Sequence, residues 1–194
     1  MKCISQFSKM HGWEKPPDAP LGLELFQDII YYSLYNILYH FDEKAYFSKV
    51  YKVNLTKKLF STQKNELLFY FADIDRIGFT TRNNVSVLNQ ELNILSRKIQ
   101  DKGGKLIVLP CPDKYEVYCK YIANNILPKN NFFEFMDELQ KEFVYIDTRK
   151  LLLEQIDNGK KDIYFADDTH WSPISAKLVA NEIFKELSIL PASR

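Results

Sequence analysis

The sequence predicts a three-layer α/β/α domain on a parallel sheet, preceded by a helical N-terminal extension. Short apolar runs alternate with helix-periodic segments from residue 67 onward, and Gly103-Gly104, Pro110 and Asn158-Gly159 punctuate them. At 194 residues and 46% apolar composition, the chain has material for one α/β core with a short extension.

The extension is read as residues 1–60 and the domain as residues 61–194. Glu14 to Pro20 is proline-rich and leads into the aromatic stretch 21–41. Glu24, Gln27, Asp28, Asn36 and His40 interrupt every 18-residue apolar window there, which favours a docked helix over a membrane span. A mixed segment with Lys49, Lys52, Lys57 and Lys58 follows. The N-terminus has one early lysine but neither an apolar h-region nor a small-residue cleavage site, so it does not read as a secretory signal.

In the domain, residues 67–71 form the first buried strand. A helix over 84–101 carries Val85, Leu88, Leu92, Leu95 and Ile99 at steps of three and four, and Gly103-Gly104 stops it. Residues 106–109 form a second strand, closed by Pro110 and Pro112, and complete a parallel βαβ unit with the first. A helical segment over 132–141, a strand over 143–146, a helix over 148–156 and a short strand over 163–165 follow. The last helix, 173–187, has Ser172 as N-cap and Pro173 at its first position. Sheets of this type bind ligands beyond the carboxyl ends of their strands. The turn from Pro110 to Lys114, Asp147 and the segment from Asp167 to His170 all fall at such ends.

The formal charge is +1, from 26 basic and 25 acidic residues without long blocks, which disfavours nucleic-acid binding. Cys3, Cys111 and Cys119 show no metal-ligand spacing, and a disulfide between the last two stays open.

The strongest chemical motif is Asp167-Asp168-Thr169-His170-Trp171-Ser172-Pro173. A carboxylate two or three residues before a histidine, in a turn, suits the orientation of a general base in acyl transfer. His170 is the base candidate, with Asp168 or Asp167 as its acid. The competing reading makes the aspartates and Ser172 caps of the last helix, where a negative charge is worth about 0.3–1 kcal/mol. One aspartate can cap while the other pairs. A metal site on Asp167, Asp168 and His170 would need further ligands from Asp73, Asp75, Asp113 or Asp147, at no recognisable spacing.

The segment from Tyr164 to Pro173 resembles the Asp-Thr-His-Trp region of the SGNH-hydrolase-like alginate O-acetyltransferases. Leu106 to Tyr118, Leu-Ile-Val-Leu-Pro-Cys-Pro-Asp-Lys-Tyr-Glu-Val-Tyr, is similar to that family's strand, Pro-x-Lys turn and tyrosine. Together the two cover residues 66 to 187. The resemblance implies a flavodoxin-like sheet, present in part, and acetyl transfer to carbohydrate hydroxyls through an acyl-serine, with no metal or organic cofactor. Asp168 and His170 take the places of the family's acid and base. Lys114, Tyr115 and Trp171 become candidates for substrate contact, although Lys114 pairing with a carboxylate or the backbone is an equal reading. The implied partners are a carbohydrate polymer and an acetyl donor such as a membrane acetyl-transfer protein. The implied location is the periplasm or cell envelope, whereas the N-terminus read alone leaves the cytoplasm open.

The family's serine lies in a Gly-Asp-Ser type turn, and no serine here has that context. Ser188 and Ser193 fall in the tail, and Ser33, Ser48, Ser61, Ser86 and Ser96 follow no convincing buried strand. Ser5 and Ser8 belong at most to a remnant of a missing block. Ser172, as a helix cap two residues from His170, is badly aimed at the imidazole. Cys111 reads as a small buried apolar residue rather than a nucleophile. The chain therefore reads as an acyltransferase with the base and acid but without the serine. The alternatives are an inactive carbohydrate-binding or partner-dependent module, or a GDSL-type esterase fragment. His40 reads as a helix-dipole partner and His11 as surface. Asp73-Ile74-Asp75-Arg76 either lines the site or forms a surface ion pair, and the 14% aromatic content suits either sugar stacking or the core.

Overall fold

The computed structural model describes residues 50–62 and 65–188; the aromatic stretch 21–41, His11, His40, Cys3 and Ser193 lie outside them. The first described element is an antiparallel hairpin of β1 (Val50–Asn54) and β2 (Glu66–Tyr70), in register from Val50 opposite Tyr70 to Asn54 opposite Glu66. Alternation fixes its faces: Tyr51, Val53, Leu67 and Phe69 are buried while their neighbours point outward. The hairpin straddles residue 60, and Leu59 and Phe60 lie in the same core as the later elements.

Helix α1 (Phe71–Asp75) and a 3₁₀ turn (Arg76–Phe79) lead into α2 (Arg82–Gln100). Thr81 caps α2 by accepting from the Asn84 N–H at 3.1 Å. Gly103, at φ +76°, lets the chain leave it. Strand β3 (Ile107–Val108) pairs in parallel with β4 (Val144–Tyr145). Between them lie α3 (Lys114–Tyr118), a 3₁₀ turn (Cys119–Tyr121) and α4 (Phe132–Asp137). Helices α5 (Thr148–Asp157) and α6 (Pro173–Ser188) follow.

Most expected strand and helix positions agree with these elements, although the helix expected over 132–141 ends at Asp137, but the expected pairing does not. Strand β2 takes β1 as its hydrogen-bonded neighbour, so the parallel βαβ unit is β3–α3–α4–β4, and not the pair of β2 with β3. Sequence periodicity marks a strand without saying which edge it joins. Residues 163–165 form no strand; Tyr164 instead makes an isolated antiparallel bridge with Trp171. Among the described residues the sheet is two two-stranded pieces.

The main core joins the hairpin, α3, α5 and residues 163–164. Its aromatic rings stack in sequence: Tyr51 on Phe69 at 5.0 Å, Phe69 against Tyr115 at 5.0 Å, Phe60 against Tyr118 at 5.2 Å, and Tyr118 edge-on to Tyr164 at 6.0 Å. These rings fill the interior and are withheld from any sugar. A second cluster of Val85, Met136 and Phe143 seats α2 on α4. There Ser96 and Asn89 bind main-chain carbonyls of Glu142 and Gln140. No described helix is long and apolar enough to cross a membrane.

Phe69 is 1% exposed and Phe184 is 67% exposed. Phe69→Ala should cost about 3–5 kcal/mol in urea unfolding, through lost transfer energy and a residual cavity. Phe184→Ala should stay within about 0.5 kcal/mol.

Candidate active site

The site is a turn between Tyr164 and Trp171, closed at its base by the bridge between those residues and by the Phe165 N–H donating to the His170 carbonyl at 3.2 Å. Within it, Asp168 Oδ1 lies 2.5 Å from His170 Nδ1 and also accepts the His170 backbone N–H at 3.0 Å. An ionised carboxylate only accepts hydrogen bonds, so Nδ1 carries a proton, and in the neutral imidazole the lone pair is left on Nε2. The His170 side chain is 80% exposed, and Nε2 bonds no described residue. The hydrogen bonds from the His170 ring and backbone hold the Asp168 carboxyl below its ordinary value. The arrangement is a base with its tautomer set and its working nitrogen open to solvent.

Asp168, two residues before the histidine, is therefore its partner; Asp167 is exposed and makes no bond to the ring. The rival capping role falls to Ser172, whose Oγ accepts from the Ile174 N–H at 3.2 Å. Ser172 is 4% exposed. It caps α6 and does not meet the imidazole.

Two of the three proposed substrate contacts are corrected by burial. Lys114 is 1% exposed, and its ammonium donates to the main-chain carbonyls of Phe165 at 2.7 Å, Ala166 at 2.9 Å and Asp168 at 3.1 Å. It also lies 5.2 Å from the centroid of the Phe60 ring. Desolvation pushes its pKa down to about 8, against the pull of Asp167, Asp168 and Asp73. Tyr115, also 1% exposed, donates its hydroxyl to the Pro128 carbonyl at 2.9 Å. Trp171 is half-buried, and its Nε1–H donates to the Tyr164 hydroxyl at 2.7 Å. That hydroxyl in turn donates to the Pro112 carbonyl, tying the turn to the end of β3.

The other strand-end residues serve the scaffold as well. Asp147 caps α5 by accepting from the Lys150 N–H at 2.8 Å. Asp73 accepts from the Tyr115 N–H at 3.4 Å, and its pKa rises to about 6 through burial and then the charge of Asp113. Among the described residues no group of three or more His, Cys, Asp or Glu side chains is placed to hold a metal ion. Cys111 is exposed rather than buried, although Pro112 beside it is buried. Its thiol is raised by desolvation and then by Asp113, which disfavours the thiolate. Cys111 and Cys119 are both free. Ser61 donates its hydroxyl to Asp162, and Ser96 is buried against Glu142, so neither serves His170.

Glu116, two residues along α3 from Lys114, gave no signal in the sequence. It is 8% exposed, 3.5 Å from Arg149, which also pairs with Glu134 at 3.0 Å. All five residues of its helix, Lys114 to Tyr118, are buried, so no single-face pattern marks it.

A family model for the SGNH hydrolase-like domain of the acetyltransferase AlgX matches residues 68–193, which takes in both Lys114 and the Asp168–His170 pair. The chain belongs to this family. Its fold is accordingly the SGNH-hydrolase-like α/β fold. A solved structure of the O-acetyltransferase domain of Pseudomonas putida AlgJ is similar at 18% identity and a TM-score of 0.46, over 73% of this chain. The chain spans 50% of that structure's length. No curated protein matches.

Tyr164→Phe should cost about 1–3 kcal/mol in urea unfolding, because the Trp171 Nε1–H and the Pro112 carbonyl lose a buried partner. A second expectation concerns pH. Burial above all raises the Glu116 carboxyl to about 8, with Arg149 opposing. The folded state then keeps a proton that the unfolded chain releases from about pH 4.5 upward. The stability this provides is full below that value and is lost as pH rises through about 8. Glu116→Gln should flatten the fall in urea midpoint across this window.

Proposed function

We propose that the chain supplies the general base and its orienting acid for O-acetyl transfer to hydroxyls of an alginate-type polysaccharide. The observation that carries this reading is the Asp168–His170 pair, with Nδ1 held at 2.5 Å and Nε2 exposed to an incoming hydroxyl. Membership of the AlgX family supports the acetyl group and the polysaccharide acceptor.

In this reading the nucleophilic serine comes from a segment outside the described residues. Nε2 takes the proton of the serine hydroxyl as its oxygen attacks the acetyl carbonyl of the donor. The imidazolium, stabilised by Asp168, protonates the leaving group and an acetyl-serine remains. A sugar hydroxyl then gives its proton to Nε2 and attacks the acetyl carbon, forming the sugar ester and freeing the serine. The donor is an acetylated carrier, such as a membrane acetyl-transfer protein, and the reaction takes place in the periplasm.

A second reading, a partner-dependent or carbohydrate-binding module, is favoured by one observation: no described hydroxyl meets Nε2. Acetyl transfer from p-nitrophenyl acetate to alginate-type oligosaccharides, followed by mass spectrometry, tests both. His170→Ala and Asp168→Asn should each lower transfer by about 10²–10⁴-fold. Transfer that is insensitive to both substitutions rejects the assignment. Transfer that appears only on adding a polypeptide with a Gly-Asp-Ser block selects the partner-dependent form.

A further inference from the structure

We infer that Lys114 is a positioning residue for the Asp168–His170 pair, holding the turn that presents it through three ammonium–carbonyl hydrogen bonds. The inference rests on the reading of that pair as an acyl-transfer base and acid.

A lysine ammonium has three protons and no acceptor capacity. Here all three protons are matched, one each, by the carbonyl oxygens of Phe165, Ala166 and Asp168. Burying an ammonium without a bonded carboxylate is costly, and it is tolerated where every proton finds an acceptor. Lys114 is 1% exposed and makes no side-chain ion pair with a described carboxylate. A lysine that served only to fill space would be an expensive choice over leucine or methionine.

What the ammonium holds is specific. The turn makes few main-chain bonds of its own: the Phe165 N–H reaches the His170 carbonyl, and the Ser172 N–H reaches that of Ile163. The carbonyls of 165, 166 and 168 point inward to one point on α3. They fix the backbone of Asp168 itself, on which the direction of its carboxylate depends. Because Asp168 and His170 are both exposed, no packing around their side chains substitutes for this. The carboxylate accepts from the ring and the backbone of residue 170 only while the Asp168 main chain keeps its orientation.

The test follows the Asp168 carboxyl by ¹³C NMR in the wild-type chain, His170→Ala and Lys114→Met, with urea unfolding measured separately. The histidine hydrogen bonds depress the Asp168 titration in the folded chain, so His170→Ala marks the uncoupled value. Lys114→Met should bring Asp168 to that value. Asp167 serves as the control for loss of a positive charge alone. A shift of Asp168 and Asp167 by the same amount, or no shift beside a drop in stability, overturns the proposal.

If Lys114→Met does not fold, the wild-type chain decides. Raising the pH through the Lys114 titration near 8 should move the carbonyl ¹³C resonances of Phe165, Ala166 and Asp168 with one midpoint, equal to that of Lys114 Cε. Independent or absent shifts overturn it. None of these readouts needs acetyl turnover. Transfer that is insensitive to His170→Ala, beside coupled Asp168 and Lys114, would sink the proposed function while the positioning of the pair by Lys114 stood.

Discussion

The geometry of the site depends on one charged group in a place where charge is expensive. The Lys114 ammonium is buried beneath the Asp168–His170 turn and bound to three main-chain carbonyls. Isolated ions in a protein interior carry a large desolvation cost, so such a group persists only where its surroundings answer every proton. The carbonyls do so here, and the Phe60 ring contributes its face at 5.2 Å. The turn and the lysine therefore stabilise each other: without the turn the ammonium is unpaired, and without the ammonium three carbonyls point at an apolar core.

Around that contact the rest of the core is arranged in support. The hairpin stacks Tyr51 and Phe69 toward α3, and α3 carries Lys114, Tyr115 and Tyr118 on its buried residues. Tyr164 and Trp171 join the neck of the turn to Pro112 through the Tyr164 hydroxyl. Thr148 donates to the Pro110 carbonyl, so the start of α5 is held to the same loop. The loop after β3 thus receives bonds from two later segments.

The legible parts were those written in local pattern. The periodicity of Val85 and its partners placed α2, Ser172-Pro173 placed the start of α6, and the spacing of Asp168 and His170 placed the pair. The pairing of β2 with β1 was hidden, because alternation identifies a strand's faces and not its neighbour. The sequence leaves Lys114 equally a substrate contact and a partner of a carboxylate or the backbone, and backbone pairing is what is observed, whereas Tyr115 beside it at the strand-end turn suggests substrate contact and is buried. Their burial follows from contacts 51 to 54 positions away for Lys114, and no local window contains that information. Cys111 differs in the opposite direction: a small apolar type suggests burial, whereas the residue is exposed.

The left-handed backbone of Asp162, at φ 55°, bears on how the chain folds. Its carboxylate binds the backbone and hydroxyl of Ser61, 101 positions earlier, and its N–H reaches the Leu59 carbonyl. The segment leading into the Asp168–His170 turn is thus anchored to the far end of the hairpin, and the turn itself to α3. Contacts of such sequence separation form only after the intervening loops have closed, at an entropic cost that slows folding. A nascent or partly unfolded chain holds Asp168 and His170 as ordinary neighbours in sequence, and the turn that orients them depends on segments more than 50 positions away.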